Sequence, residues 1–343
     1  MNSKQRVLRA INHCETDRVP FDMFGTSPEN KKNIQRFCNT KSIEEMYQML
    51  GIDLWEINPM PYSGPQRYYK GEAADFWGIT PKAYSDGDSS NSCPLSEVSS
   101  VDEVEKYNWP DISDFSDKEI EKDIEIHNGF CIIGGVWAPV FHNVTWLCGF
   151  ENTLANFALQ PEVSHAIIRK VTDFWISYIK KVLEAGKGRI DIIENCNDFG
   201  TQNSLIMSPE MFRTFLKPAL KRIYDTIRNY DVKVMQHCCG SIRELIGDFI
   251  EIGADIINPV QISAKDMNIS DLKEQYGEKI TFHGGIDTQY LLPNGSSDDV
   301  RKEVRKVLSL FRKDGGYILS GSQGFESDIP VQNIIAMYEE GRL

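Results

Sequence analysis

No run of 18 apolar residues occurs anywhere in the chain, so no membrane-spanning helix is expected. No block of consecutive basic residues occurs either, and 50 acidic against 37 basic residues leave a formal net charge of −13. Such a surface repels phosphate backbones and argues against nucleic acid as a partner. The opening stretch MNSKQRVLRAINHCETDRVP is charged throughout and lacks the apolar core of a secretory signal, so a cytoplasmic protein is expected. There is no internal repeat and no low-complexity tail. No Gly-rich dinucleotide-binding turn follows the first candidate strand, which counts against an open doubly wound sheet.

What is present is an ordinary globular balance, 41% hydrophobic and 25% charged over 343 residues, enough to bury a substantial core. Eight cysteines are scattered along the chain and, in a reducing compartment, are expected as thiols rather than a disulfide framework. From residue 189 onward, short β-branched runs alternate with helical segments. RIDIIEN, VKVMQHC, ADIINPVQ, KITFHGGID and GGYILSGS read as strands, and a single helix is expected over 208–230, with Ser208 as N-cap and Pro209 in its first turn. Such alternation implies parallel pairing through right-handed crossovers. FDMFG (21–25), DLWEINP (53–59) and CIIGGVW (131–137) bring the count to eight, the number a (β/α)8 TIM barrel needs. One domain spanning 1–343 is expected. The irregular, partly Ser-rich interval of about 60–128 reads as an excursion placed over the active face as a lid.

In a barrel of this kind the chemistry sits at the carboxyl ends of the strands. Those ends carry Glu194, Cys196 and Asp198; His237, Cys238 and Cys239; Asn258 and Gln261; His283 and Asp287; and Ser322, Gln323 and Glu326. Five successive strands ending in ligand-type or proton-handling groups is the strongest functional signal in the chain. Within MQHCCGSI, strand alternation places His237 and Cys239 on one face and turns Cys238 toward the packing side. An imidazole and a thiolate on one face suit zinc; the same pair is also compatible with the buried end of an ordinary strand. No cysteine follows Cys239, so further ligands would have to come from Glu194, Asp198, Cys196, His283 or Glu326. His283, before two glycines, reads as a ligand, a base or a hydrogen-bonded barrel histidine. Asp198 and Gln202, in NDFGTQ, read either as substrate-binding groups or as caps of the following turn.

The blocks NDFGTQ, HCCGSI, INPVQ, FHGGIDTQYLLP, GGYIL and DIPVQNIIAMYE, with RVLRAINHCETDRVP and FENTLANFALQPE before them, resemble the uroporphyrinogen decarboxylase superfamily. The resemblance implies a distorted TIM barrel and one of two chemistries. Its decarboxylases grip a polycarboxylate tetrapyrrole with an arginine-containing block after RVP; here FDMFGTSPEN follows, without arginine. Its corrinoid-dependent methyltransferases move a methyl group between a small methoxy, methylamine or thiol compound and a corrinoid on a partner protein. Thiol-methylating members bind zinc through an H-x-C motif, matched by His237 and Cys239, and a later cysteine. That cysteine would fall near Ser322 or Gln323 and is missing, which counts against coenzyme M as substrate. The expected assignment is therefore zinc on His237, Cys239 and Glu194, with Asp198, His283 and Glu326 catalytic and Gln202, Asn258, Gln261 and Gln323 binding substrate. The resemblance is also consistent with a homodimer. A decarboxylase, and a non-catalytic barrel that binds corrinoid or tetrapyrrole, are the alternatives.

Overall fold

Each β-branched run of the second half pairs in parallel with its neighbour. The computed structural model describes residues 1–82, 93–311 and 314–343. Its strands are β1 Leu54–Glu56, β2 Arg67–Tyr69, β3 Glu72–Ala74, β4 Cys131–Gly134, β5 Ile192–Cys196, β6 Lys233–His237, β7 Ile256–Val260, β8 Thr281–Ile286 and β9 Tyr317–Gly321. Seven of them form one curled parallel sheet in the order β1-β4-β5-β6-β7-β8-β9, with helices on its outer face. This is a TIM-barrel-like α/β fold, and its seven parallel strands present their carboxyl ends at one mouth. A contiguous apolar core runs from Val19 to Tyr338.

The eighth staves of the barrel are not equal. The expected strand at 21–25 is reduced to a single parallel bridge between Phe21 and Leu319. Asp22 N–H donates to the Leu319 carbonyl, Leu319 N–H to that of Pro20, and Asp53 N–H to that of Phe21. One residue thus joins β9 to the segment leading into β1. The reason for so short a stave lies in its sequence, where Gly25 at φ +64° turns the chain away beside Gly324. What secures the bridge is the fully buried Asp53. Its carboxylate accepts from Arg6 (2.6 Å), from Arg18 (2.7 Å) and from the Phe21 N–H (2.9 Å). Tyr338, from the last helix Val331–Gly341, donates its hydroxyl to the Asp22 carbonyl.

Inside the sheet, side chains at alternate positions stack in layers. The lower layer is apolar: Leu54, Ile133, Ile192, Met235, Ile256 and Ile318, plugged from below by Val7 and Ile11 of the helix Ser3–Ile11. Two residues further along the same strands stand Glu56, Glu194, His237, Asn258 and Ser320. On each of these strands the inward-facing side chains thus switch from apolar to polar within two residues.

Three expectations need correction. The helix over 208–230 is two helices, Pro209–Phe215 and Lys217–Arg228, because Pro218 has no N–H to donate back into the preceding turn. The excursion contains the β2–β3 hairpin, which alternation did not reveal. Nor does its described part form a lid. Phe76, Trp77 and Phe115 dock on Phe174, Trp175 and Tyr178 of the outer helix Pro161–Gly186. The first part of its Ser-rich stretch, up to residue 92, lies outside the described residues.

The closure predicts a specific sensitivity. Asp53→Ala removes the acceptor shared by two guanidinium groups and the Phe21 amide, and should cost about 3–5 kcal/mol. Chemical denaturation of the purified variant measures this; a loss under about 1 kcal/mol would show that the closure does not depend on Asp53.

Candidate metal centre

The ladder between β6 and β7 runs one residue beyond His237, since Cys238 N–H still donates to the Asn258 carbonyl (2.7 Å). Alternation therefore persists to Cys239, and His237 Nε2 lies 3.4 Å from Cys239 Sγ. Cys238 points the other way, fully buried, its sulfur accepting the Phe199 N–H at 3.2 Å. All eight cysteines are free thiols.

The third member of the group comes from the loop after β5. Asp198 Oδ1 accepts the Cys239 N–H at 2.7 Å and sits 3.6 Å from His237 Nε2. One ligand atom each from Asp198, His237 and Cys239 lies within 4.8 Å of the others. Two loops must nearly touch for this. A Cβ on Gly240 would come within 2.6 Å of the Gly200 carbonyl carbon and of the Thr201 oxygen, and Gly240 holds φ +88°. Only glycine meets both demands. Ser241 N–H then donates to Thr201 O (2.8 Å) and locks the loops together.

The electrostatics follow from this packing. Burial alone would raise the Asp198 carboxyl. The hydrogen bond from His142, the attraction of His237 and the Cys239 N–H outweigh it and hold Asp198 well below the ordinary carboxylate range. His142 Nε2 is 3.5 Å from Asp198 Oδ2, a neighbour that its setting in an aromatic run concealed. Burial, reinforced by the charge of Asp198, pushes the Cys239 thiol up to about 12. Burial holds His237 below its ordinary value.

Glu194 does not take the place expected of it. Its Oε1 faces the opposite nitrogen, 3.8 Å from His237 Nδ1, and it is outside the converging group. Among the described residues neither of its oxygens has a hydrogen-bond partner. Burial, with the nearby charges of Glu56, Asp22 and Asp198, raises its carboxyl far above the ordinary value. The strand geometry explains the error: Glu194 does point inward, but one layer below the loop that delivers Asp198.

His283 and Asn258 are fully buried behind His237, with no exposed surface. His237 Nδ1 contacts Asn258 Oδ1 (2.6 Å), Asn258 Nδ2 contacts His283 Nδ1 (2.7 Å), and His283 Nε2 contacts Asp22 Oδ2 (2.9 Å). Neither is therefore placed to touch a substrate. Asp22 was not legible as a site residue at all, since its segment read as an ordinary strand. Phe24 packs its ring 5.2 Å from that of His237 and 5.8 Å from that of His283.

Beside Cys239 opens a cavity of about 520 Å³. Gln202, Gln261, Gln289, Gln323, Thr201, Thr288, Glu326 and Asp328 line it, and among the described residues no lysine, no arginine and no residue of 60–128 does. Gln323 stands close to where a third thiol was missed, its Nε2 donating to Cys239 Sγ at 3.2 Å. Gln261 Oε1 accepts a hydrogen bond from the Gly240 N–H (2.8 Å).

A parallel barrel with imidazole, thiol and carboxylate gathered at its carboxyl mouth defines a class of barrel proteins with a metal-type donor set. Within that class the chain belongs to the uroporphyrinogen decarboxylase (URO-D) family, whose model matches residues 97–342. It is 22% identical over 188 residues to the uroporphyrinogen decarboxylase of Chlamydia caviae, covering 54% of this chain and 52% of that one. It is 25% identical over 184 residues to the methylcobamide:CoM methyltransferase MtbA of Methanosarcina acetivorans, covering 54% and 50% respectively. The chain thus spans about half the length of the curated relatives it matches. A solved methyltransferase from Methanosarcina mazei superposes with a TM-score of 0.69 over 99% of this chain and 98% of that one, at 16% identity. That likeness establishes the fold.

Two outcomes follow from the geometry. Gly240→Ala should push the two loops apart and cost about 1–3 kcal/mol, read as a lowered denaturation midpoint; an unchanged midpoint would show that the loops have slack. In metal-free protein Cys239 should alkylate slowly at pH 8. Asp198→Asn should lower the thiol's titration midpoint and speed alkylation, as followed by mass spectrometry of the Cys239 peptide. A slower reaction would contradict the assigned electrostatics.

Proposed function

We propose that the protein transfers a methyl group between a small substrate and the corrinoid of a partner protein, with a zinc ion held by His237, Cys239 and Asp198. The convergence of those three ligand atoms is the observation that carries this reading. A nitrogen, a sulfur and an oxygen donor suit zinc, and three protein ligands leave a position for substrate. Bound zinc would supply Lewis acidity toward a leaving heteroatom.

The chain's own residues do the rest. The methyl group would move as a cation equivalent: the partner's reduced corrinoid would supply the electron pair that accepts the methyl carbon, and the carbon–heteroatom pair would leave with the substrate, which takes up a proton. Gln202, Gln289 and Gln323 offer amides that orient a neutral, polar substrate beside Cys239. Glu326, which lines the same cavity, would exchange that proton with solvent. Asp198 moves from its expected proton-handling role to that of ligand, and Glu194 is left out.

The lining also bears on the alternative chemistry. A tetrapyrrole with many carboxylates calls for cationic partners, and the cavity beside Cys239 offers amides, hydroxyls and two carboxylates instead. This favours methyl transfer over decarboxylation.

The purified protein should contain zinc at one ion per chain and lose it in Cys239→Ser. Mixed with methylcobalamin, or with a Co(I) corrinoid partner, it should exchange methyl groups with a thiol, methoxyarene or methylamine, followed by corrin absorbance. A zinc-free wild-type protein, or zinc-replete protein with no exchange toward any of the three substrate types, would overturn the proposal. Conversion of uroporphyrinogen would establish the decarboxylase instead.

A further inference from the structure

The row of contacts behind His237 has a direction, and each link can be worked out from what its atoms can donate and accept. It begins at Asp22, which is 5% exposed. Asp22 Oδ1 already accepts the Met23 N–H at 2.8 Å, so Oδ2 is the oxygen that faces His283 Nε2 at 2.9 Å. A carboxylate only accepts, so His283 carries its proton on Nε2. The other nitrogen of a neutral imidazole then accepts, and it faces Asn258 Nδ2 at 2.7 Å. With its NH2 group committed there, Asn258 turns its oxygen to His237 Nδ1 at 2.6 Å, which must be the donor.

We infer that Asp22, His283 and Asn258 are positioning residues that set the tautomer of His237, keeping its proton on Nδ1 and a bare lone pair on Nε2. That lone pair is directed where Cys239 Sγ lies at 3.4 Å and Asp198 Oδ1 at 3.6 Å. Histidines that bind metals are commonly oriented by such an outer partner. Here the partner is three residues long and ends in the Asp22 carboxylate, next to the closing bridge of the barrel. His283 and Asn258 have no exposed surface, so neither acts by touching substrate. The ring of Phe24 against both imidazoles restricts their tilt.

The inference rests on the zinc reading for its purpose, but its polarity can be tested without metal. Nitrogen NMR of metal-free, 15N-histidine-labelled protein should place the His237 proton on Nδ1. In Asp22→Asn the Met23 N–H retains the oxygen, so the new NH2 faces His283 Nε2 and donates. Each link then reverses, Asn258 presents its NH2 to His237, and the proton moves to Nε2. Zinc affinity, measured by chelator competition, should fall about 10–100-fold although all three ligands are intact. The double variant Asp22→Asn with Asn258→Asp restores an acceptor toward both imidazoles, so it should return the proton to Nδ1 and recover zinc binding.

A purely structural role for Asp22 predicts no such rescue. A wild-type His237 proton on Nε2 would overturn the inference even if no variant folds. So would a double variant no better than the single one. If wild-type protein shows the Nδ1 proton yet binds no zinc, the relay stands and the metal reading is what fails.

Discussion

The closure of the barrel at Phe21 is the constraint on which the rest of the molecule depends. Seven strands curl, and one residue joins the two edges, held by backbone hydrogen bonds on both sides. A single-residue stave has too few ladder bonds to secure itself. Asp53 supplies the difference by accepting from the Phe21 amide while two arginines hold it. The next residue, Asp22, is consequently delivered to the barrel interior at a fixed height, its own backbone bonded to Leu319 and to Tyr338. The link from closure to site is thus a single peptide unit.

Above the apolar plug, the interior becomes polar within one layer. Stability and chemistry are separated by two residues of strand: Met235 packs and His237 is available, Ile256 packs and Asn258 is hydrogen-bonded. A layer this polar and this buried is costly unless its groups find partners. Asn258, His283 and Asp22 do. Glu194 and Ser320 are exceptions among the described residues, and the Glu194 carboxyl is accordingly displaced toward the neutral form by burial and neighbouring charge.

Much of this was legible in the sequence, and what was not has identifiable causes. The five β-branched runs after residue 189 read correctly because period-2 patterning and turn residues agree. The pairing of His237 with Cys239 followed from the same alternation. That Asp198 rather than Glu194 converges on His237 and Cys239 has a different cause: alternation says which side chains face inward but not how far a loop beyond the strand folds back. That depends on Gly200 and Gly240, whose close approach is a tertiary fact. Asp22 was missed because a candidate strand in which only Phe21 pairs gives no local signal of its interior role. The helix break at Pro218 could have been read, since the proline is plain to see; the long amphipathic pattern around it outweighed it.

The placement of the excursion has one more consequence. Its aromatic residues are spent on the outer helix Pro161–Gly186, and no described part of it lines the cavity beside Cys239. The described part of this segment therefore brings no roof to that cavity. Any reaction there that must be kept from water would depend for its dryness on whatever molecule docks over Gln202, Gln289 and Gln323. The active environment would then be completed only in the encounter, and its dielectric would belong jointly to two surfaces.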